Sequence, residues 1–140
     1  MAFLLDTNVV SELRKAVRCS RSVLRWYENA PGEDLFLSVI VFGELRRGIE
    51  SLRLRDPATA HSLEQWMRGL KMAYAERILP VTLDICDQWG HFSAGQNLAP
   101  AEGLLAATAK CHDLTIVTRN EVDFQRVGVD YFNPFRDESH

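Results

Sequence analysis

Four carboxylates in this chain lie where a parallel α/β sheet would collect its functional groups. Asp6 directly follows the apolar run at residues 2–5. The other three lie beside later predicted strands: Glu44, Glu102 and Asp123. Open α/β sheets bind ligands at the carboxyl ends of their strands, and hard oxygen donors gathered there suit Mg²⁺ or Mn²⁺. These residue types therefore predict metal-assisted attack on a phosphate.

Each acid also has a structural interpretation that the sequence leaves open. Asp6 would cap the helix that follows it, which lowers the cost of a carboxylate after a buried strand. Glu102 lies in the first turn of a predicted helix, where the helix dipole favours any carboxylate. Glu44 precedes Arg47 by three residues and would form an intrahelical ion pair, whereas Asp123 would cap or turn a loop.

Strands and helices alternate along the chain, a pattern that predicts a mostly parallel sheet with helices on both sides. Short strands are predicted at residues 2–5, 35–38, 77–81, 114–118 and 129–132. Helices are predicted at residues 9–15, 20–29, 40–54, 57–75, 83–97 and 101–112. Asp56 and Thr82 are the predicted caps of two helices. Pro80 indicates the end of a strand or an edge strand, because proline cannot donate to a ladder.

Length and composition fit one globular domain over residues 1–140. The chain is 46% hydrophobic and 25% charged, and no apolar run approaches the ~20 residues that cross a bilayer. Because Asp6 interrupts the N-terminal apolar stretch, no signal peptide is predicted, and we expect a cytoplasmic protein without membrane association. The three cysteines are expected to be reduced, with Cys86 and Cys111 packed in apolar helix contexts.

The charge distribution argues against bulk coating of nucleic acid but permits local contacts. The formal net charge is -3, yet basic residues concentrate at residues 14–25 and 46–55. Such clusters are usually solvated helix faces, but they would meet phosphates if they flanked an acidic site. The histidines are expected to lie outside the acidic edge, so none is needed as a base: His61, His91, His112 and His140.

Six motifs occur in the order typical of one family. They lie at residues 4–12, 37–48, 78–80, 102–109, 118–124 and 133–135. On these motifs the chain resembles the PIN-domain ribonucleases of the VapC/FitB type, which are toxins of type II toxin–antitoxin pairs. The resemblance implies a three-layer α/β/α fold with a central sheet of four to five strands and an Mg²⁺-dependent site that cuts RNA. It also implies a cognate antitoxin, homodimers and hetero-oligomers with the antitoxin.

The resemblance also implies roles for individual residues. The four catalytic acids would be Asp6, Glu44, Glu102 and Asp123. Mg²⁺, or Mn²⁺ in its place, would be held by Asp6, Glu102 and Asp123, with Glu44 completing the shell or orienting water. Polar residues that support the acids would be Thr7, Asn8, Ser38, Thr118 and Asn120.

Two departures from the family pattern keep alternatives open. Glu102 stands where aspartate is usual, and the neutral Asn120 stands where some relatives have an acid, so either Asn120 or Asp123 would complete the metal site. The alternative that these departures keep open is a catalytically weakened PIN-fold module that binds RNA or protein without cutting. Phosphoaspartyl phosphatases and receiver domains are disfavoured, because Asn8 replaces a required second aspartate and residues 80–82 lack an acceptor aspartate.

Overall fold

The computed structural model of the chain describes residues 1–136, which are organised around a five-stranded sheet. The strands are β1 (Phe3–Leu5), β2 (Leu35–Ser38), β3 (Ile78–Leu79), β4 (Thr115–Val117) and β5 (Tyr131–Phe132). Their order is β3-β2-β1-β4-β5, and every neighbouring pair is parallel. The predicted α/β class is therefore confirmed, and the sheet is parallel throughout. Because β1 lies at its centre, the residue after β1 reaches the middle of the carboxyl edge.

Helices connect the strands and form the outer layers. They are α1 (Thr7–Leu13), α2 (Arg21–Asn29), α3 (Val39–Arg53), α4 (Pro57–Ala73), α5 (Leu83–Ser93), α6 (Pro100–His112) and α7 (Glu121–Arg126). Short 3-10 turns occur at Ala16–Arg18, Gly32–Asp34 and Ala75–Arg77. The two predicted caps are confirmed, since Asp56 Oδ1 accepts from Thr59 N at 3.2 Å and Thr82 Oγ1 from Ile85 N at 3.3 Å.

Helix α7 was not predicted, and two other helices have different bounds. Residues 121–126 are too few to show a helical apolar period, so the sequence indicated only a loop around Asp123. Helix α1 begins at Thr7 because Asp6 already serves as its cap. Helix α5 ends at Ser93 rather than near residue 97, shortly before Gly95 takes a left-handed conformation with φ of 77°.

The two outer strands are shorter than predicted. Arg77 lies in a 3-10 turn, and β3 ends before Pro80. Strand β3 pairs only with β2 and forms one edge of the sheet, as the proline indicated. Strand β5 begins at Tyr131 rather than at Val129 and forms the other edge. The sheet is therefore most extensive at β1, β2 and β4, which bear the acidic site.

The core lies on both faces of the central strands. Leu4 and Leu5 point to opposite faces and are each 1% exposed, so helices cover the sheet on both sides. The structure does not support the predicted burial of two cysteines. Cys86 and Cys111 are exposed, because α5 turns Ile85 inward and the buried stretch of α6 ends at Ala109. No disulfide joins any of the three cysteines within residues 1–136.

None of the helices within residues 1–136 has the length and apolar character needed to span a membrane.

Candidate active site

A polar cavity of about 310 Å³ opens at the carboxyl edge of the sheet. Its lining consists of six residues that the sequence analysis singled out: Asp6, Thr7, Asn8, Glu44, Glu102 and Asn120. They come from the junction of β1 with α1, from α3, from the first turn of α6 and from the segment after β4. The parallel order of the strands brings these distant segments together, because each strand ends at the same edge.

Asp6 is the most buried acid of the cavity, with 6% exposure. Its carboxylate accepts hydrogen bonds from Thr7 N at 2.7 Å, from Thr118 Oγ1 at 2.8 Å and from Asn8 Nδ2 at 3.3 Å. Burial raises the pKa of Asp6 above its usual range and the charge of Glu44 adds to this, whereas the three hydrogen bonds oppose it. Asp6 also caps α1, so the capping role and a place in the cavity coexist.

Glu44 faces the cavity from α3 and remains exposed. Its Oε1 accepts a hydrogen bond from Thr7 Oγ1 at 2.5 Å, so Thr7 binds both acids, Asp6 through its backbone N and Glu44 through its hydroxyl. The ion pair with Arg47 that the sequence left open does not occur within residues 1–136. Glu44 is therefore directed toward the site rather than along its own helix.

The side-chain amide of Asn120 bridges the other two acids, Glu102 and Asp123. Its amide Nδ2 donates to Glu102 Oε2 and, at 2.9 Å, to Asp123 Oδ2. Burial raises the pKa of Glu102 to about 7, with contributions from its contact with Asp123 and from the charges of Asp6 and Glu44. The pKa of Asp123 is lowered, mainly by the hydrogen bond from Asn120. Asp123 lies on α7 behind Asn120 and does not line the cavity itself.

Thr118 connects the two halves of the site from a fully buried position. Its Oγ1 donates to Asp6 and accepts from Asn120 N at 3.0 Å, so one hydroxyl links the acid after β1 to the segment after β4. Ser38 is also fully buried, but its Oγ accepts from Ile40 N at 3.0 Å and bonds to none of the acids. Ser38 therefore caps α3 and, within residues 1–136, forms no hydrogen bond with the four acids, whereas its role in orienting water stays a prediction.

A close contact between α5 and α6 occurs at Gly103, the residue after Glu102, and the sequence patterns did not predict it. A Cβ built on Gly103 would lie 2.6 Å from Trp89 Cδ1, so only glycine allows the tryptophan this close to α6. Among residues 1–136, the buried Trp89 Nε1 has no hydrogen-bond partner, so this contact is one of packing only. The available signal was the glycine directly after Glu102 in an otherwise alanine-rich and leucine-rich helix.

The described histidines lie away from the cavity, and two arginines of the second basic cluster are held in ion pairs. His61, His91 and His112 are exposed and do not line it, as predicted, whereas His140 lies outside the described residues. Within the second basic cluster, Arg46 and Arg53 are paired with Glu50 and Glu64. Over residues 1–136, no three acidic, histidine or cysteine side chains already form a compact metal-binding group.

The fold and the acidic edge define a class of protein. The PIN domain family model matches residues 3–130, and the chain belongs to the PIN-domain family.

Two curated relatives and one solved structure are similar over nearly the whole chain. The chain is 35% identical to VapC ribonuclease Y4jK of Sinorhizobium fredii over 137 residues, 94% of this chain and 96% of the relative. It is 34% identical to Toxin FitB of Neisseria gonorrhoeae over 139 residues, 96% of this chain and 99% of that protein. A structure described as FitAB bound to an IR36 DNA fragment matches with a TM-score of 0.85 and 32% identity, covering 99% of both chains.

Proposed function

We propose that this protein is an Mg²⁺-dependent endoribonuclease and the toxin of a toxin–antitoxin pair. The observation that carries the proposal is the buried Asp6, held in one cavity with Glu44 and Glu102 although burial and mutual repulsion oppose ionisation. Groups kept together against such a cost are typical of functional sites. The names of the relatives, a VapC ribonuclease and a toxin, support the same activity.

The donor set fits a hard divalent cation. Every side chain that would hold Mg²⁺, or Mn²⁺, offers oxygen, and we assign Asp6, Glu102 and Asp123 to this role. Burial is the largest cause of the raised pKa values of Asp6 and Glu102, and the charges of neighbouring acids add to it; a bound cation would favour the charged forms of both carboxylates. When bound, the cation supplies electrostatic stabilisation at the scissile phosphate and makes a nearby water more acidic.

The chain's own residues would hold and orient the reacting groups. Thr118 and the backbone of Thr7 fix the carboxylate of Asp6, so its two oxygens need no reorganisation when substrate arrives. The Thr7 hydroxyl orients Glu44, whose exposed carboxylate would accept the proton of the attacking water. Asn120 would release Glu102 as that acid turns toward the cation and would keep its bond to Asp123.

The partners in this proposal are RNA, a cognate antitoxin and a second copy of the chain. Two similar solved structures, at 32% and 33% identity, are described as FitAB bound to DNA and as FitAcB from Neisseria gonorrhoeae. By analogy, this chain would form a homodimer and a hetero-oligomer with an antitoxin, which would block the acidic cavity. A cytoplasmic site of action follows from an intracellular RNA substrate.

A second candidate function rests on one specific observation. The Asn120 amide already donates a hydrogen bond to the Glu102 carboxylate. A pKa of about 7 also leaves Glu102 partly protonated at neutral pH. Both features weaken a metal site, so a PIN-fold module that binds RNA or protein without cutting is the alternative.

The experiment that separates these functions compares two aspartates with the same chemical change. RNA 5′ ends are sequenced after brief expression of the wild type, Asp6→Asn and Asp130→Asn, where Asp130 lies at the opposite edge of the sheet. We expect new 5′ ends with the wild type and Asp130→Asn, and none with Asp6→Asn. Purified protein should reproduce the cuts with Mg²⁺ and lose them with EDTA. Equal cutting by Asp6→Asn, or none by the wild type, would overturn the nuclease assignment.

A further inference from the structure

An acidic cavity in a protein of net charge -3 repels the phosphates of RNA, so a nearby cation is needed to hold the strand. Arg119 lies between Thr118 and Asn120, which both belong to the site network. Its backbone N donates to Asn8 Oδ1 at 3.1 Å, and Asn8 lines the cavity. The backbone of Arg119 is therefore fixed directly to the acidic site.

The side chain of Arg119 is also held in place. Its Cζ lies 4.2 Å from the centre of the Phe135 ring, a cation–π contact, while the residue as a whole is exposed. It takes part in no ion pair within residues 1–136. A guanidinium whose centre lies over a ring still has N–H groups free to donate, and these suit the two oxygens of a phosphate.

Phe135 is itself fixed by the segment after β5. Its backbone N donates to Asn133 Oδ1 at 2.9 Å, and Asn133 Nδ2 donates to Glu121 Oε2 at 2.9 Å. Arg136 also binds Glu121, with Nη2 at 2.7 Å from Oε2. Glu121 therefore anchors the residues on both sides of Phe135. The carboxylate nearest in sequence to Arg119 stabilises the ring on which the arginine rests.

Arg77 shows what a purely structural stacked arginine looks like in this fold. Its Cζ lies 4.5 Å from the ring centre of Tyr74, similar to the geometry of Arg119. However, its Nη1 donates to the carbonyls of Gly32 and Leu35, each at 2.7 Å, and its Nη2 to that of Ala73 at 3.0 Å. Arg77 therefore ties a 3-10 turn, the start of β2 and the end of α4 together, whereas no hydrogen bond or ion pair of the Arg119 guanidinium is found within residues 1–136.

We propose that Arg119, stacked on Phe135 beside the acidic cavity, binds a backbone phosphate of the RNA strand and positions it for cleavage. The inference rests on the proposed function, because it names a contact for the same substrate. It makes Arg119 a substrate-positioning residue whose recognition is independent of base sequence, since phosphates are alike at every nucleotide.

The test measures RNA binding without cleavage. Asp6→Asn is the parent chain, the buffer contains EDTA, and the probe is a fluorescein-labelled, mixed-sequence 12-nucleotide single-stranded RNA titrated over a range of NaCl concentrations. Arg119→Gln, Arg119→Lys and Phe135→Leu are compared with Arg53→Gln, which removes the same charge from an ion pair on α3. Melting curves establish that each variant is folded.

The loss of one phosphate contact changes the salt dependence of RNA binding by a defined amount. Arg119→Gln should weaken binding about tenfold and reduce the slope of log K against log salt by about 0.7. Arg119→Lys should keep the slope, and Phe135→Leu should keep the slope with an affinity about two- to fivefold weaker. Arg53→Gln should match the parent in both affinity and slope.

Failure of this inference is distinguishable from failure of the proposed function. A folded Arg119→Gln variant with the parent's slope would overturn the role of Arg119 even if the wild type cuts RNA with Mg²⁺. No RNA binding by the parent would overturn it too. Conversely, suppose that Arg119→Gln reduces the slope but the wild type never cuts RNA. That result would support the phosphate contact and contradict the proposed nuclease activity.

Discussion

The carboxyl ends and the amino ends of the strands, here called the carboxyl edge and the amino edge of the sheet, carry cavities of opposite character. The cavity of about 310 Å³ at the carboxyl edge is lined by acids and amides, whereas one of about 560 Å³ at the amino edge contains four aromatic side chains. These are Phe3, Trp26, Tyr131 and Phe132. The rings of Phe3 and Trp26 meet edge to face with centroids 5.2 Å apart. The larger cavity is thus built by aromatic packing, and the smaller one by groups that repel each other.

This contrast indicates that the amino edge contributes mainly to folding stability and the carboxyl edge mainly to activity. Burying aromatic surface stabilises the fold, so the amino edge should matter for folding. Burying Asp6 raises its pKa, which means that its charged form is held at a cost in free energy. Such a cost is expected where a cation or substrate will supply the missing positive charge. Substitutions at the carboxyl edge should therefore lower activity more than stability, and those at the amino edge the reverse.

The largest expected effect is on catalysis at the carboxyl edge. Asp6→Asn should lower the rate of Mg²⁺-dependent RNA cleavage by about 10²–10³-fold, because a ligand worth several kcal/mol to the transition state is lost. Its free energy of unfolding without metal should stay the same or rise, since a buried charge has been removed. Single-turnover cleavage and urea unfolding measure the two quantities. Asp130→Asn is the control, and an equal fall in its cleavage rate would contradict the separation of the two edges.

The amino edge should show the reverse pattern. Trp26→Ala removes a ring that packs against both Phe3 and Phe132, so the free energy of unfolding should fall by about 3 kcal/mol. The cleavage rate per folded molecule should be unchanged. Trp26→Phe keeps an aromatic ring and should lose much less stability. A strong fall in cleavage by folded Trp26→Ala would show that the aromatic cavity takes part in the reaction.

A substitution of Thr118 tests how far hydrogen bonds stabilise the buried carboxylate of Asp6. Thr118→Val removes a buried donor to a carboxylate and should lower the free energy of unfolding by about 2 kcal/mol at neutral pH. The matched control is Thr108→Val on α6, which loses a hydroxyl bond to the Leu104 carbonyl, a neutral acceptor. Its expected cost is about 1 kcal/mol. In an Asp6→Asn background the cost of Thr118→Val should fall by about 1 kcal/mol, because its bond to a charged acceptor is gone while the bond from Asn120 N is lost in either background. An unchanged cost would show that Thr118 acts other than through Asp6.

The smallest effect concerns the pH dependence of the metal-free protein. The pKa of Glu102 is about 7 in the folded state, above its ordinary value of 4.5, so protonation favours folding. This contribution is fully present below pH 4.5 and is lost as the pH rises through 7. Relative to Glu102→Gln, the wild type should lose no more than about 1 kcal/mol over that window, because Glu102 is partly exposed and screened.

Urea unfolding of both proteins between pH 4.5 and 8 in EDTA measures this difference. Groups that do not interact with Glu102 titrate alike in the two variants and cancel, so the measured difference reports Glu102 together with the acids coupled to it. A wild type that gained stability relative to Glu102→Gln as the pH rises would contradict the assigned direction. Addition of Mg²⁺ at pH 8 should remove the penalty of the wild type and have little effect on Glu102→Gln.

The sequence predicted the regular parts of the fold and missed those that depend on packing. Apolar runs and caps located β1, β2, β4 and the long helices, because these signals are local. Helix α7 was missed because six residues show no periodicity, and the exposure of Cys86 and Cys111 because an apolar neighbourhood in sequence does not say which side of a helix faces the core. Ser38 was assigned to the acids but caps α3.

What the sequence alone determined is the set of residue types and their order, from Asp6 at the end of an apolar strand to the acids beside later strands. Residue type fixes which atoms can donate, accept or bind a cation, and strand alternation fixes the edge they reach. The tertiary structure decided the partners: Thr118 with Asp6, Asn120 between Glu102 and Asp123, and Arg119 on Phe135. These contacts join segments up to 112 residues apart, and no local pattern in a single chain specifies which distant side chains will meet.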